Sequence, residues 1–244
     1  MKSKFIAVIF FSIASLCNAQ SYTYIYTPND SPVYVDIKPE LSPEQIADYT
    51  LECYTLWPNA EILAPSSRTY NCHSYAWYMI EGGTIICWMP YPGEYWEDES
   101  YEETTEEEAV KIFYAVGPGG HSAVKSATHP GKYESKWGEL PLMRHSPEYG
   151  PYDAQYRIYY KCTEYVNILD ETISADRTAT SCGNAAVECV TVQNGATLTI
   201  KAAGDINVWN VTVKDGSKLI LETAGTVTII SDFEIEPGSV FEIK

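Results

Sequence analysis

Val192-Gln-Asn-Gly-Ala-Thr-Leu-Thr-Ile200 is echoed by Val213-Lys-Asp-Gly-Ser-Lys-Leu-Ile-Leu221 and again by Ile235-Glu-Pro-Gly-Ser-Val-Phe-Glu-Ile243. The turn glycines Gly195, Gly216 and Gly238 fall at a period near 20 residues. On both sides of each glycine, apolar and polar residues alternate with the two-residue period of a strand. One strand–turn–strand unit cannot bury its apolar face alone, but a stack of such units can. This predicts a parallel β-solenoid over 187–244. Two hairpins of a small sandwich are the alternative that the same alternation allows.

Composition divides the chain just ahead of this tail. No Tyr or His follows residue 183, and Pro237 is the only proline there. The polar stretch Asp170–Ser181 reads as a linker. The expected organisation is a domain over 20–168, a linker over 169–186 and the β-repeat tail over 187–244. With 45% hydrophobic residues and 20 Tyr, the chain can build a core. A net charge of −17 argues against nucleic acid and against anionic lipid, both of which need a basic face.

The first residues read as an address. Lys2 and Lys4 precede an apolar run from Phe5 to Leu16 that is too short to span a bilayer. Cys17-Asn18-Ala19 supplies small residues for cleavage after Ala19. Residues 1–19 are therefore a predicted secretory signal, the product is secreted or held at the cell surface or in the periplasm, and no membrane span is expected. Six cysteines remain: Cys53, Cys72, Cys87, Cys162, Cys182 and Cys189. In an oxidising compartment they suggest three disulfides, unless one is a catalytic thiol. Cys182 and Cys189 are close enough in sequence to close a small loop.

Chemistry concentrates in Thr69-Tyr-Asn-Cys-His-Ser-Tyr-Ala-Trp-Tyr-Met79. Asn71 is a strong N-cap, Cys72 falls in the first turn of a predicted helix, and Gly82-Gly83 stops it. Backbone N–H groups at such a position favour thiolate. A thiolate nucleophile needs a base on another element. His121 is the candidate, opening a strand after Gly117-Pro-Gly-Gly120. Glu134 or Ser135 on the next strand is the candidate orienting group, and they point to opposite faces. His145 is a second-choice base; His73 and His129 are weaker ones. Asn71, Trp77, Trp88 and Trp137 are candidate substrate contacts. Ser42-Pro-Glu-Gln45 opens a further helix through about Tyr54. The run Glu94–Glu108 reads as a solvated acidic excursion, with a flap over a cleft as the functional alternative. No Cys-x-x-Cys or His-Glu-x-x-His motif suggests zinc, and no metal or cofactor is expected.

Cys on a helix start, His on a strand start and a polar residue on the following strand resemble the NlpC/P60 and CHAP group of papain-like cysteine amidases and peptidases. Asn71-Cys-His-Ser-Tyr-Ala-Trp77, His121-Ser-Ala-Val124 and Ser135-Lys-Trp-Gly138, followed by Pro141-Leu142, His145 and Tyr149-Gly150, resemble an uncharacterised family of exported bacterial proteins of that type. The tail resembles the β-repeat tails of exported bacterial surface proteins. The resemblance implies an α+β fold, with a papain-like domain of N-terminal helices packed on an antiparallel sheet ahead of the β-solenoid. It also implies a Cys72–His121 dyad acting on an amide or peptide bond, such as those of cell-wall peptide. The alternative is a catalytically silent scaffold that attaches through its tail.

Overall fold

The tyrosine-rich start of the first domain forms strands. In the computed structural model, which describes residues 21–117 and 119–244, β1 (Ser21–Tyr26) and β2 (Pro32–Ile37) pair as an antiparallel hairpin. Alternation sets its two faces: Ile25, Val33 and Val35 are buried, while Tyr22, Tyr24, Tyr26 and Tyr34 are exposed. The predicted signal segment lies outside the described residues. Helix α1 (Pro43–Leu56) begins at a reciprocal capping box between Ser42 and Gln45, with Pro43 in the first turn where its missing N–H costs nothing.

After β3 (Glu61–Ala64), α2 (Cys72–Trp77) and α3 (Glu94–Glu97) come β4 (Tyr101–Glu103), β5 (Lys111–Tyr114), β6 (His121–Lys125), β7 (Tyr133–Lys136), β8 (Leu142–His145) and β9 (Arg157–Cys162). They form a seven-stranded antiparallel sheet in the order β3-β8-β7-β6-β5-β9-β4. Cross-strand partners share a face. Phe113, Ser122, Val124, Glu134 and Lys136 therefore look one way, and Tyr114, His121, Tyr133, Ser135 and His145 the other. The hairpin and α2 cover the first face, burying Ile25, Val33 and Trp77 with Phe113, Val124 and Tyr160. Helix α1 reaches the second face through Cys53, packed with Trp137 and Met143.

This corrects the expected α+β class. The chain's described residues are mostly β, 43% strand against 12% helix in three helices, and hold no papain-like domain of N-terminal helices. The reasons are local. The Tyr and Val alternation before residue 38 suits a pleated, half-buried surface. Helix α2 ends at Trp77 because Tyr78 leaves helical geometry, and a 3₁₀ turn then runs to Gly82 at φ 90°. The acidic run is built into the fold: it supplies α3 and the edge strand β4. Within it, the Asp98 carboxylate accepts from the Thr27 hydroxyl and the Ser100 N–H.

The tail is a parallel β-solenoid, and it begins earlier than its glycines indicate. One sheet runs β10 (Tyr165–Leu169), β13 (Asn184–Val192), β15 (Ile206–Val213), β17 (Val227–Ile235), with β11 (Thr172–Ile173) also on β13. The other runs β12 (Arg177–Ser181), β14 (Thr197–Ala202), β16 (Lys218–Thr223), β18 (Val240–Ile243). All these pairs are parallel. The stretch 169–186, expected as a linker, thus holds much of the first rung. That rung has no turn glycine; instead the Asp176 carboxylate accepts from the Thr197 N–H of the next rung at 2.8 Å. Later rungs turn at Asn194-Gly195 and Asp215-Gly216, both residues of each pair at positive φ, a geometry glycine adopts without strain. Asp170, Cys189, Asn210 and Asp232, one per rung, also have positive φ and bend the long strands.

The cysteines pair differently from the expectation. One disulfide joins Cys162 of β9 to Cys182 beside β12; Cys53, Cys72, Cys87 and Cys189 are free. The β1–β2 turn adds a second tie to the solenoid: the Thr180 N–H donates to Asn29 Oδ1 at 2.7 Å and the Thr180 hydroxyl to the Pro28 carbonyl at 2.7 Å.

Leu198, Leu219 and Phe241 stack in register through three rungs, with Leu219 fully buried between the others. Leu219→Ala should lower the unfolding free energy by about 2–5 kcal/mol in urea denaturation. Ile243→Ala, on the exposed last rung, should cost much less.

Candidate functional site

Helix α2 starts at Asn71, whose extended backbone and side chain cap it. Asn71 Oδ1 accepts from the N–H groups of Ser74 (3.1 Å) and Met89 (3.2 Å), and its Nδ2 donates to the Met89 carbonyl (2.8 Å). Both polar atoms of this side chain are used, Oδ1 on the helix start and on Met89, and Nδ2 on Met89. A buried chain of hydrogen bonds then fastens α2 to the sheet. The Trp77 indole N–H donates to Ser122 Oγ at 2.9 Å, and Ser122 Oγ lies 2.7 Å from His73 Nδ1. His73 Nε2 is 2.9 Å from the Gly119 carbonyl, which can only accept. The proton of His73 is therefore on Nε2, and the Ser122 hydroxyl donates to Nδ1. Burial pushes the His73 pKa down to about 4, partly offset by the Gly119 carbonyl.

Strands β6 and β7 pair only at Val124–Glu134 and Lys125–Tyr133. The end of β6 that carries His121 and Ser122 is free of β7, and the first residue of α2 meets it there. The Cys72 thiol is buried, and burial pushes its pKa up to about 11. The N–H groups of Ser122 and His73, its own N–H and the Lys136 ammonium act against that rise without reversing it. Lys136 is itself buried, which lowers its pKa to about 8. Its Nζ donates to the carbonyls of Ser67, Gly138 and Leu140.

His121 opens β6 on the second face. It is 1% exposed, and neither ring nitrogen has a hydrogen-bond partner. Tyr152 stacks flat on it, ring centroids 3.6 Å apart at 7°, and Tyr114 lies tilted to it with centroids 5.3 Å apart. Burial, then the neighbouring His73 and His145, push its pKa well below the usual histidine value. Burial raises the Tyr152 phenol, and the Cys72 sulfur acts in the same direction. A cavity of about 10 Å³ is lined by Tyr114, His121, His145 and Tyr152 together with Pro147, Tyr149 and Gly150.

Ser135 lies on the His121 face but is bound to His145. The Ser135 Oγ to His145 Nε2 distance is 2.7 Å, the Trp137 indole N–H donates to Ser135 Oγ at 2.9 Å, and His145 Nδ1 donates to the Ser146 carbonyl at 2.8 Å. This is the Trp–Ser–His–carbonyl chain of the first face, built again on the second. Burial also lowers the His145 pKa. Glu134 lies on the opposite face; it accepts from Arg144, Ser126 and the Tyr75 hydroxyl. Burial would raise its pKa, but these donors hold it below the usual carboxylate range.

Trp77 and Trp137 are buried core residues. Trp88 is half-buried under the Lys38 ammonium, 3.6 Å from the ring centroid, and its backbone bridges to Asp36. Among the described residues, no three His, Cys, Asp or Glu side chains form a metal-ligating group. Tyr152 carried no sequence signal, because it acts through a long-range contact; Lys136 and Tyr149-Gly150 entered only as part of the resembling pattern, with no role assigned to them. No protein-family model matches the chain, and no curated protein or solved structure matches it.

Two predictions follow from the buried imidazoles and their partners. His73, His121 and His145 all have folded pKa values below the unfolded value of about 6.5. The unfolded chain therefore binds more protons. The stability these groups contribute is complete above pH 6.5 and falls as pH drops toward 4, by up to about 1.4 kcal/mol per pH unit for each histidine. Urea titrations across that range should show the slope, and His73→Gln should reduce it. Ser122→Ala strands the Trp77 N–H and His73 Nδ1 in the core, and should cost about 2–4 kcal/mol at neutral pH by the same method.

Proposed function

We propose that the chain is an exported cysteine hydrolase in which Cys72 and His121 act as a dyad on an amide or peptide bond, cell-wall peptide being the substrate class the sequence resemblance suggests. The observation that carries this reading is His121: a buried imidazole with both nitrogens unpartnered, next in sequence to the Ser122 N–H that faces the Cys72 sulfur. A buried polar group left unpaired is costly and needs a reason, and a catalytic role is one.

In this mechanism His121 takes the thiol proton as Cys72 Sγ bonds to the carbonyl carbon. The N–H groups of Ser122 and His73 face the developing oxyanion. The C–N bond breaks, His121 returns the proton to the leaving amine, and water then hydrolyses the thioester with His121 as base. The neutral thiol and neutral imidazole describe a closed resting state. Substrate enters when Tyr152 leaves the ring and the 147–152 loop opens. The second reading, a catalytically silent scaffold attached through its tail, has the burial of both groups in its favour.

Iodoacetamide labelling of the Cys72 peptide, followed by mass spectrometry against pH, tests the proposal. Tyr152→Ala should label at least tenfold faster than wild type and at a lower pH midpoint, and adding His121→Ala should restore the higher midpoint. Equal labelling of wild type and Tyr152→Ala across the pH range would sink the dyad and favour the silent scaffold. Cys72→Ser should abolish any amidase activity.

A further inference from the structure

The outer face of the β1–β2 hairpin has no role in the proposed chemistry. Tyr22 pairs across the strands with Asp36, Tyr24 with Tyr34 and Tyr26 with Pro32. The four phenols are 41–63% exposed, an unusual outlay of aromatic surface on so small a sheet. Three of them are ordered among themselves. Tyr34 stacks on Tyr22 with centroids 5.5 Å apart, meets Tyr24 edge-on at 6.2 Å, and donates its hydroxyl to Asp36 Oδ1 at 2.8 Å. The opposite face is locked in the core by Ile25, Val33 and Val35. The turn between the strands is bound to the solenoid by Asn29 and Pro28. The row is therefore a rigid platform.

We propose that this platform binds a neutral polysaccharide lying along β1. A pyranose ring has an apolar C–H face and a hydroxyl rim. A row of phenols matches both, with flat apolar rings for stacking and hydroxyl tips for hydrogen bonds, at little cost in side-chain freedom. Tyr22 to Tyr26 spans about 13 Å of strand, room for a short run of sugar rings. Charge selects the ligand. Within β1 and β2 the outer face has no cation to receive phosphate or carboxylate, the Lys38 ammonium just past β2 is held over the Trp88 ring, the one carboxylate is bonded to Tyr34, and the chain carries −17 overall. Anionic polymers are repelled, and so is a second copy presenting the same face. Apart from Pro32 the outer face has no aliphatic side chain, so it lacks the close-packed apolar centre of a protein interface.

Native affinity electrophoresis of the mature chain in gels containing a mixed-linkage β-glucan, a xylan or a galactomannan, with pull-down on cellulose and chitin, tests this. Retardation or retention by at least one is expected, with loss of the shift in Tyr22→Ala/Tyr34→Ala at unchanged unfolding midpoint. If that variant fails to fold, Tyr24→Ser, which alters one exposed ring, should weaken the shift. Wild type held by none of the five, or variants held as firmly as wild type, overturns the proposal. So does light scattering that finds a dimer which the variant converts to monomer, because the face is then a self-association surface. Labelling of Cys72 is independent of all these results.

Discussion

The Ser122 hydroxyl is the point on which the arrangement of α2, sheet and thiol depends. It accepts from the Trp77 indole, donates to His73 Nδ1, and has Gly119 closing the chain through His73 Nε2. Two buried side chains of a six-residue helix are thereby fixed to one residue of β6. A helix this short has little stability of its own and takes its position from tertiary contacts. The same residue presents its backbone N–H to the Cys72 sulfur. The bond that orients the helix thus also sets where the thiol can be.

The repetition of this device on the other face gives the sheet a consistent design. Trp77–Ser122–His73 and Trp137–Ser135–His145 each end on a backbone carbonyl, and each satisfies both nitrogens of an imidazole whose pKa burial lowers. His121 lies between them with neither nitrogen satisfied. The contrast is within one protein and one sheet, so the cost of burying His121 is not a general tolerance for unpaired histidine.

The solenoid follows a different economy. Its rungs stack like on like, Ile168 on Val187 on Val208 and Leu198 on Leu219, so each rung buries the apolar face of the next. Backbone hydrogen bonds run along the stack, and side-chain ties between rungs, such as Asn184 Oδ1 with the Asp205 N–H and Asp205 Oδ1 with the Thr226 N–H, recur at the same place in the turn. The first rung is joined to β9 by the disulfide, which links the repeat to the sheet covalently.

The sequence by itself determined the elements whose cause is local. The tail was legible because a repeat of alternating residues about a glycine turn has one economical packing. The Ser42 capping box, the Asn71 cap and the strand opening at His121 were legible because propensity and cap chemistry act over a few residues. The first rung was not legible because its turn lacks the glycine of the others, the Asp176 carboxylate instead bonding the Thr197 N–H of the following rung. Only the tertiary structure decided that the tyrosine-rich hairpin packs beside Phe113 and Val124 and that α2 is fastened to the sheet through Ser122. It also decided that Cys162 pairs with Cys182, and that Ser135 belongs to His145 while Glu134 faces the other way. Each of those outcomes depends on a partner far away in the chain, and short-range pattern carries no information about which distant group will be opposite when the sheet closes.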